Sequence, residues 1–358
     1  MYIFLVFSNL IMSFLIKNKK IILVYFILSY TLMTGLRYDV GIDYLNYQRL
    51  FFIKRDFEIG YNFFRDIIYY FNGKFFYFTL LTSFFTILPI YYYFKINNFR
   101  INDLRIGIFL FLISDFNFSA MNLIRQSLAV SFCFLSADFY YKKKYINFIF
   151  LFLVALCFHK SVYFYLIFFL LINNIRIKRN FSLSLIICLF LLKNIISFTD
   201  IIVYFLNYVN ILYPGYSFEE LLRYAQYTQN HSNKLNYGLL FLIILYTLII
   251  KNSSSYLKYF EKFMFFSLIF RIFASQNFIF NRISFYFDLY IFLSIFKYHL
   301  KYKKSNFSKR VIFCIAVFIL FANFIKNGYF SSEISKNRYY SIFSIKNLEK
   351  SNIVEGKI

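Results

Sequence analysis

The sequence predicts an all-α integral membrane protein, a polytopic bundle of about 12 transmembrane helices. Of its 358 residues, 60% are hydrophobic and only 16% are charged, whereas a soluble domain keeps roughly a quarter of its residues charged. Apolar stretches recur along nearly the whole chain, and a soluble fold of this size cannot bury so many. The lipid bilayer is therefore the solvent that explains the composition.

Apolar segments mark the individual helices, because a span needs about 20 apolar residues, or fewer where polar ends reach the interface. The predicted helices are 2–16, 21–36, 75–94, 104–117, 120–141, 145–159, 161–173, 181–197, 237–250, 259–276, 282–298 and 311–325. Residues 1–325 thus form one transmembrane domain, and residues 326–358 form a polar tail that we expect to be external.

The distribution of charge predicts the orientation. The net charge of +24 could indicate a nucleic-acid surface, but the cations form no single patch. They lie in short clusters between apolar segments, as cytoplasmic loops do. If KNKK (17–20) is cytoplasmic, the inner loops carry +19 in total and the outer segments +6. This pattern argues against nucleic acid as a partner and predicts two long external loops, 37–74 and 198–236.

Each long external loop contains a helical pattern. GYNFFRDIIYYF (60–71) is amphipathic, which predicts a helix that lies at the interface rather than one that spans the membrane. FEELLRYAQYTQN (218–230) also has helical periodicity and is suited to cover a site from outside.

The charged groups that topology does not explain lie at the predicted outer ends of helices. They are Arg37, Arg125, His159, Arg271 and Arg282. Ionisable groups inside a membrane are costly and usually mark a pathway or a site. A guanidinium offers bidentate donors that suit a diphosphate, and the first external loop supplies acids: Asp39, Asp43, Asp56 and Glu58. The combination predicts an outward-facing cavity that binds a lipid diphosphate and deprotonates a hydroxyl.

Several motifs resemble those of a known family. RYDVGIDYLNY (37–47) and FEIGYNFF (57–64) are similar to the first-loop pattern of the EpsG-type polysaccharide polymerases, which belong with the Wzy-like O-antigen polymerases. MNLIRQSLAVSF (121–132), CFHKSVYFYL (157–166), RYAQY (223–227) and NRISFYF (281–287) match in kind and order. The resemblance extends from about residue 30 to residue 300, and it implies a GT-C-like helical bundle.

The resemblance implies a glycosyltransferase that acts at the outer face of the bacterial inner membrane. Such an enzyme joins oligosaccharide repeat units carried on undecaprenyl diphosphate into O-antigen, capsule or exopolysaccharide. Its partners would be the lipid-linked donor and acceptor, membrane lipids and a chain-length regulator. It implies no cofactor and no metal, and the sequence has no cluster of ligands that requires one.

Roles can be carried over to matching residues. Arg37, Arg125 and Arg282 are the candidates for binding diphosphate or sugar, with Arg125 first because it is predicted to lie deepest in a helix. Arg271 and Arg223 are either further clamps or members of structural pairs. Asp43 is the first candidate for the base that accepts the hydroxyl proton, and His159 and Glu58 are the alternatives.

Two other functions remain open at this point. A flippase or exporter of lipid-linked oligosaccharide would bind the same anionic substrate without chemistry, but transporters usually place their charges near the middle of the membrane. A membrane acyltransferase would normally carry a His and a carboxylate at the inner face, where the sequence has no such pair.

Overall fold

The computed structural model describes residues 2–41, 43–192, 237–251, 255–274, 278–304, 307–326 and 340–341. Over these residues the chain is all-helical, with fifteen α-helices and one pair of two-residue strands. The chain divides into two compact units, Met1–Tyr163 with Leu320–Ile358, and Phe164–Ile319.

The first unit contains the first nine helices. They are α1 (Tyr2–Leu15), α2 (Lys19–Gly35), α3 (Tyr44–Phe52), α4 (Ile59–Tyr70), α5 (Phe75–Ile96), α6 (Ile101–Leu112), α7 (Phe116–Asn122), α8 (Ile124–Tyr141) and α9 (Tyr145–Phe158). The strand β1 (Arg37–Tyr38) pairs antiparallel with β2 (Tyr340–Ser341).

The remaining helices form the second unit, except that the first residues of α10 and the last residues of α15 belong to the first. They are α10 (Val162–Asn174), α11 (Arg179–Leu192), α12 (Tyr237–Lys251), α13 (Tyr259–Ala274), α14 (Phe278–Tyr302) and α15 (Phe307–Ile325).

Helix α8 is the centre of the first unit. Nearly all of its residues are buried, and many are small, including Ser127, Ala129, Ser131 and Cys133. Small side chains let neighbouring helices approach closely, which is how membrane helices gain packing contacts without a hydrophobic driving force. Helices α5 and α9 both pack against α8.

Aromatic stacking holds the second unit together where α13 packs against α14. The rings of Phe263 and Tyr290 stack at 4.3 Å between centroids, and Phe263 also stacks on Phe287. The Tyr290 hydroxyl lies 2.9 Å from the Tyr165 hydroxyl, which joins α10 to this core. Stacked rings bury large apolar areas, so this packing explains why Phe and Tyr are abundant in these helices.

Each of the twelve predicted segments overlaps a described helix, but two of these segments are not continuous helices. The segment 104–117 is broken, because the Asn117 amide donates to the carbonyls of Phe111 and Leu112 and so ends α6. The segment 120–141 is interrupted at Leu123, which leaves the helical conformation (φ −98°, ψ 60°), so its first residues belong to α7 and α8 begins at Ile124. Arg125 therefore lies in the first turn of α8, not deep within a helix.

The number of membrane spans stays a prediction. By length and composition, two described helices can each cross a membrane, α5 and α15, and α6 with α7 adds a third if the pair, bent by 49°, is one span. Five more helices, α1 and α9 to α12, are apolar but shorter. The helical, apolar architecture is that of an integral membrane protein, while neither a count of about 12 nor a GT-C-like arrangement follows from it.

The loop 37–74 is more helical than predicted. The amphipathic segment 60–71 is confirmed as a helix, α4, whereas α3 was not predicted. The second long loop, including the helical pattern at 218–230, lies outside the described residues. So does most of the tail from residue 326.

Candidate functional site

The site in the first unit begins at Glu58, the residue that precedes α4. Its backbone is extended (φ −67°, ψ 151°) and its side chain makes no capping bond to the helix. The carboxylate is therefore available for partners outside α4. Its side chain is only 9% exposed, and a buried charge requires compensation by opposite charges or hydrogen bonds.

Arg125 and His159 provide that compensation, one at each carboxylate oxygen. Arg125 Nη1 lies 2.6 Å from Glu58 Oε2, and His159 Nδ1 lies 3.0 Å from Oε1. Their side chains are 22% and 10% exposed. We refer to Glu58, Arg125 and His159 as the Glu58 cluster. It joins three separate parts of the chain: the start of α4, the start of α8 and the end of α9.

The charge state of Glu58 follows from these contacts. Burial alone raises the pKa of the Glu58 carboxyl, but the hydrogen bond from His159 and the charge of Arg125 outweigh it and lower the pKa to about 2. An ionised carboxylate accepts hydrogen bonds only, so His159 Nδ1 carries the proton between them. In a neutral imidazole, Nε2 then holds the lone pair and can act as a base.

Aromatic groups surround the Arg125 guanidinium. The Phe57 ring centroid lies 4.0 Å from its central carbon, and the Tyr47 hydroxyl of α3 interacts with the same group. Arg125 Nε is buried without a hydrogen-bond partner among the described residues. The guanidinium is thus fixed in orientation while part of its bonding capacity is unused.

Glycine at position 60 permits the approach of α4 to α9. A Cβ atom there would lie 2.8 Å from the Cys157 carbonyl oxygen and 2.9 Å from the Phe158 ring. His159 follows directly as the residue that ends α9. The close contact at Gly60 therefore brings the Glu58 carboxylate within reach of the imidazole, and the FEIG sequence of the first loop is explained by packing as well as charge.

Arg37 lies in a different setting from the one predicted. Only 2% of it is exposed, and its guanidinium donates to the backbone carbonyls of Thr34 and Met121, the latter at 3.1 Å. It borders a small cavity with hydroxyl-bearing walls, including Thr82 and Ser127, that leaves about 10 Å³ for a water-sized molecule. This setting suits an arginine that holds helices together, and its role as a substrate ligand stays a prediction.

Asp43 precedes α3 and contacts the α7–α8 junction (121–124). Its side chain forms no capping bond with α3, and its backbone N–H donates to Asn122 Oδ1 at 2.9 Å. The preceding turn uses Gly41 at φ +96°, where a Cβ would lie 3.3 Å from the Met121 carbonyl. The loop that carries Asp43 is thus fixed to the segment from which Arg125 emerges, but the structure assigns the Arg125 ion pair to Glu58.

Arg65 and Tyr47 are polar residues of this region that the sequence did not single out. Arg65 is buried and pairs with Asp56 at 3.1 Å and Asp66 at 2.8 Å, both largely exposed. It also donates to the Arg55 carbonyl. The amphipathic pattern of α4 predicted that Arg65 lies on a helix. Only the fold shows that its guanidinium binds Arg55 and Asp56 and so holds the loop before α4 against this helix.

In the second unit, Arg271 forms a structural pair. Its Nε and Nη2 lie 2.9 and 2.8 Å from the two oxygens of Asp288, and the Ser267 hydroxyl donates to the same carboxylate. Of the two roles left open for Arg271, this geometry favours the structural pair. Arg282 is half-buried near the start of α14. Arg223 lies outside the described residues.

No site for a metal is evident where the chain is described. No group of three His, Cys, Asp or Glu side chains lies close enough there to hold an ion.

Comparison with known proteins identifies the family. The model of the EpsG family matches residues 20–343, nearly the whole chain, and this range includes all three members of the Glu58 cluster. No curated protein and no solved structure matches the chain. The chain therefore belongs to the EpsG family, a family of Wzy-like polymerases.

Proposed function

We propose that this protein polymerises a surface polysaccharide at the outer face of the inner membrane. It would transfer a growing glycan from undecaprenyl diphosphate to a hydroxyl of the next lipid-linked repeat unit. Family membership supports glycosyl transfer and a lipid-linked oligosaccharide in general. The observation that carries the proposal further is the Glu58 cluster, which combines a base, an orienting acid and a cation.

In this proposal His159 is the general base. The acceptor hydroxyl attacks the anomeric carbon of the donor, and its proton passes to His159 Nε2. The bond between that carbon and the diphosphate oxygen breaks, and the lipid diphosphate leaves with the electron pair. Glu58 accepts the hydrogen bond from Nδ1, which orients the imidazole and stabilises the imidazolium as it forms.

The charge balance of the cluster supports His159 as the base. With neutral His159, the positive charge of Arg125 and the negative charge of Glu58 cancel. Protonation of His159 then gives the cluster a net charge of +1 while negative charge develops on the leaving diphosphate. Arg125, which is partly exposed, would place its positive charge beside that diphosphate.

Deletion of the gene tests the function. Surface glycan is separated on a gel, and the side of the membrane that carries the lipid-linked intermediates is determined. We expect the polymer ladder to disappear while a single repeat unit remains on its lipid outside, and the intact gene to restore the ladder. A full-length ladder in the deletion strain would refute the proposal. Repeat units retained inside the cell would support the flippase instead.

A further inference from the structure

A second polar feature lies in the second unit, where the C-terminal end of α14 meets the N-terminal end of α15. The two helix ends enclose a pocket of about 180 Å³. We call it the basic pocket, and its lining includes His299, Tyr302, Lys303, Lys309, Arg310 and Phe313. It lies at the opposite end of α14 from Arg282, and α14 has 25 residues, which correspond to about 37 Å of helix.

Two cations of the basic pocket, Lys309 and Arg310, are remote from acids along the chain. The sequence has no Asp or Glu between residues 289 and 332. None of the ion pairs within the described residues involves Lys309 or Arg310. Basic loops alone are expected from topology, but here the cations converge on a cavity, and an anion placed in it would meet several of them at once.

Aromatic contacts shape the pocket and hold one of its cations. Lys309 Nζ of α15 lies 4.6 Å from the ring centroid of Tyr302 on α14. The rings of His299 and Phe313 lie 4.7 Å apart and form a second contact between the two helices. The ammonium group of Lys309 is thus positioned beside the cavity by a cation–π contact rather than by a carboxylate.

The apolar surface beside the pocket indicates what kind of anion fits. Val311, Ile315 and Phe318 are exposed and lie on one face of α15 at helical spacing, next to Arg310 and Lys309. Helix α15 is long and apolar enough to span a membrane, and only 22% of its apolar window is buried within the protein. A ligand at this position would therefore meet cations at its head and a lipid-facing surface along its tail.

We propose that the basic pocket binds the phosphate of an anionic phospholipid, with the acyl chains along the exposed face of α15. A soluble phosphate would satisfy the cations but would leave this apolar face unused. Basic pockets between transmembrane helices on the cytoplasmic side are suited to anionic headgroups, and the charge pattern of the chain predicts that residues 297–310 are cytoplasmic.

The test measures retention of lipid by the purified full-length protein. Protein in detergent is mixed with phosphatidylglycerol or phosphatidylcholine, and the bound lipid is counted by native mass spectrometry. We expect selective retention of phosphatidylglycerol by the wild type. The double variant K309Q/R310Q should reduce its affinity on the order of tenfold or more, since each cation near an anionic lipid contributes about a fivefold factor.

A matched variant separates the pocket from general surface charge. K301Q/K304Q removes the same charge from the same connection, and Lys301 and Lys304 are exposed and lie outside the pocket lining. It should retain phosphatidylglycerol as the wild type does. Equal losses in the two variants, or no preference in the wild type, would overturn the proposal. So would complete displacement of the lipid by inorganic phosphate, which would identify a soluble ligand.

Discussion

At the scale of single residues, Glu58 differs from Asp56, an acid of the same loop, in how deeply it is buried. Its side chain is 9% exposed, whereas that of Asp56, two residues earlier, is 83% exposed. Exposed ion pairs contribute little because water screens them. A buried pair costs free energy when one partner is removed, since the other charge loses its compensation. The two acids are therefore expected to respond differently to the same substitution.

Substitution of Glu58 tests this difference. E58Q keeps the shape of the side chain but leaves the Arg125 charge without its counterion and removes the acceptor that orients His159. We expect polymer formation in the complemented deletion strain to fall at least about tenfold, since a lost charged hydrogen bond costs about 1.5–3 kcal/mol. D56N is the matched control and should stay within about twofold. Equal effects of both substitutions would refute a special role for Glu58.

The pKa of Glu58 predicts how stability depends on pH. The folded protein lowers this pKa from 4.5 to about 2, so the contribution of Glu58 to stability is fully present above about pH 4.5 and is lost as the pH falls towards 2. Between pH 5 and 8 Glu58 should add no pH dependence. Thermal unfolding of purified protein at pH 7 and pH 3 should show a smaller difference for E58Q than for the wild type. An unchanged difference would contradict the lowered pKa.

At the scale of elements, two features of the backbone position the Glu58 cluster. One is the close contact of α4 with α9 at Gly60. The other is the break between α7 and α8, which places Arg125 in the first turn of α8. Both depend on backbone geometry, so side chains that carry no charge should influence the site as strongly as charged ones.

Substitution of Gly60 tests the first feature. In G60A the added Cβ would meet the Cys157 carbonyl at 2.8 Å, and a backbone atom cannot move aside as a side chain can. We expect α4 to shift away from α9, which lengthens the distance between Glu58 and His159 and lowers polymer formation about tenfold at normal expression. I59F adds volume at the neighbouring residue, which is 79% exposed, and should have little effect. Normal polymer from G60A would show that the close approach is not required.

Substitution of Asn122 tests the second feature. N122A removes the oxygen that accepts the Asp43 N–H and should lower the stability of the protein by about 1 kcal/mol. N122D keeps an acceptor at that position and should restore most of the loss. The apparent melting temperature in detergent measures both. If N122A melts as the wild type does, the junction is held by other contacts.

At the scale of the whole molecule, the orientation in the membrane determines which substrates the site can reach. The match to the EpsG family extends over residues of both compact units. The distribution of charge predicts that the Glu58 cluster is external and that the basic pocket is cytoplasmic. The proposed polymerase and the proposed lipid site both depend on that arrangement.

Labelling of single cysteines tests the orientation. In a variant without the four native cysteines, K160C beside His159 and N281C beside Arg282 should react with a membrane-impermeant maleimide in intact cells. S308C, at the start of α15, should react only after the membrane is permeabilised. All three positions are exposed, so differences in reaction reflect sidedness. If K160C and N281C reacted from opposite sides, the shared external chamber predicted for the arginines would not exist.

The sequence by itself determined the class of fold, the approximate positions of the helices and the family. Hydrophobicity and charge are properties of whole segments. They can be read from a segment without knowing which other parts of the chain pack against it. It also named all three members of the Glu58 cluster. A local ion pair such as that of Asp138 with Lys142, at 2.7 Å, is likewise within reach of the sequence. That pair is one helical turn apart, so the periodicity of the helix is enough to predict it.

Only the tertiary structure decided which groups belong together. Glu58 is separated from Arg125 by 67 residues and from His159 by 101, and several acids of the first loop looked equivalent in the sequence. Asp43 was the first candidate for the base, and a linear pattern could not show that Glu58 contacts both Arg125 and His159. Partners this distant are selected by the packing of helices, here by a glycine that lets two backbones meet, and that information resides in three-dimensional contacts.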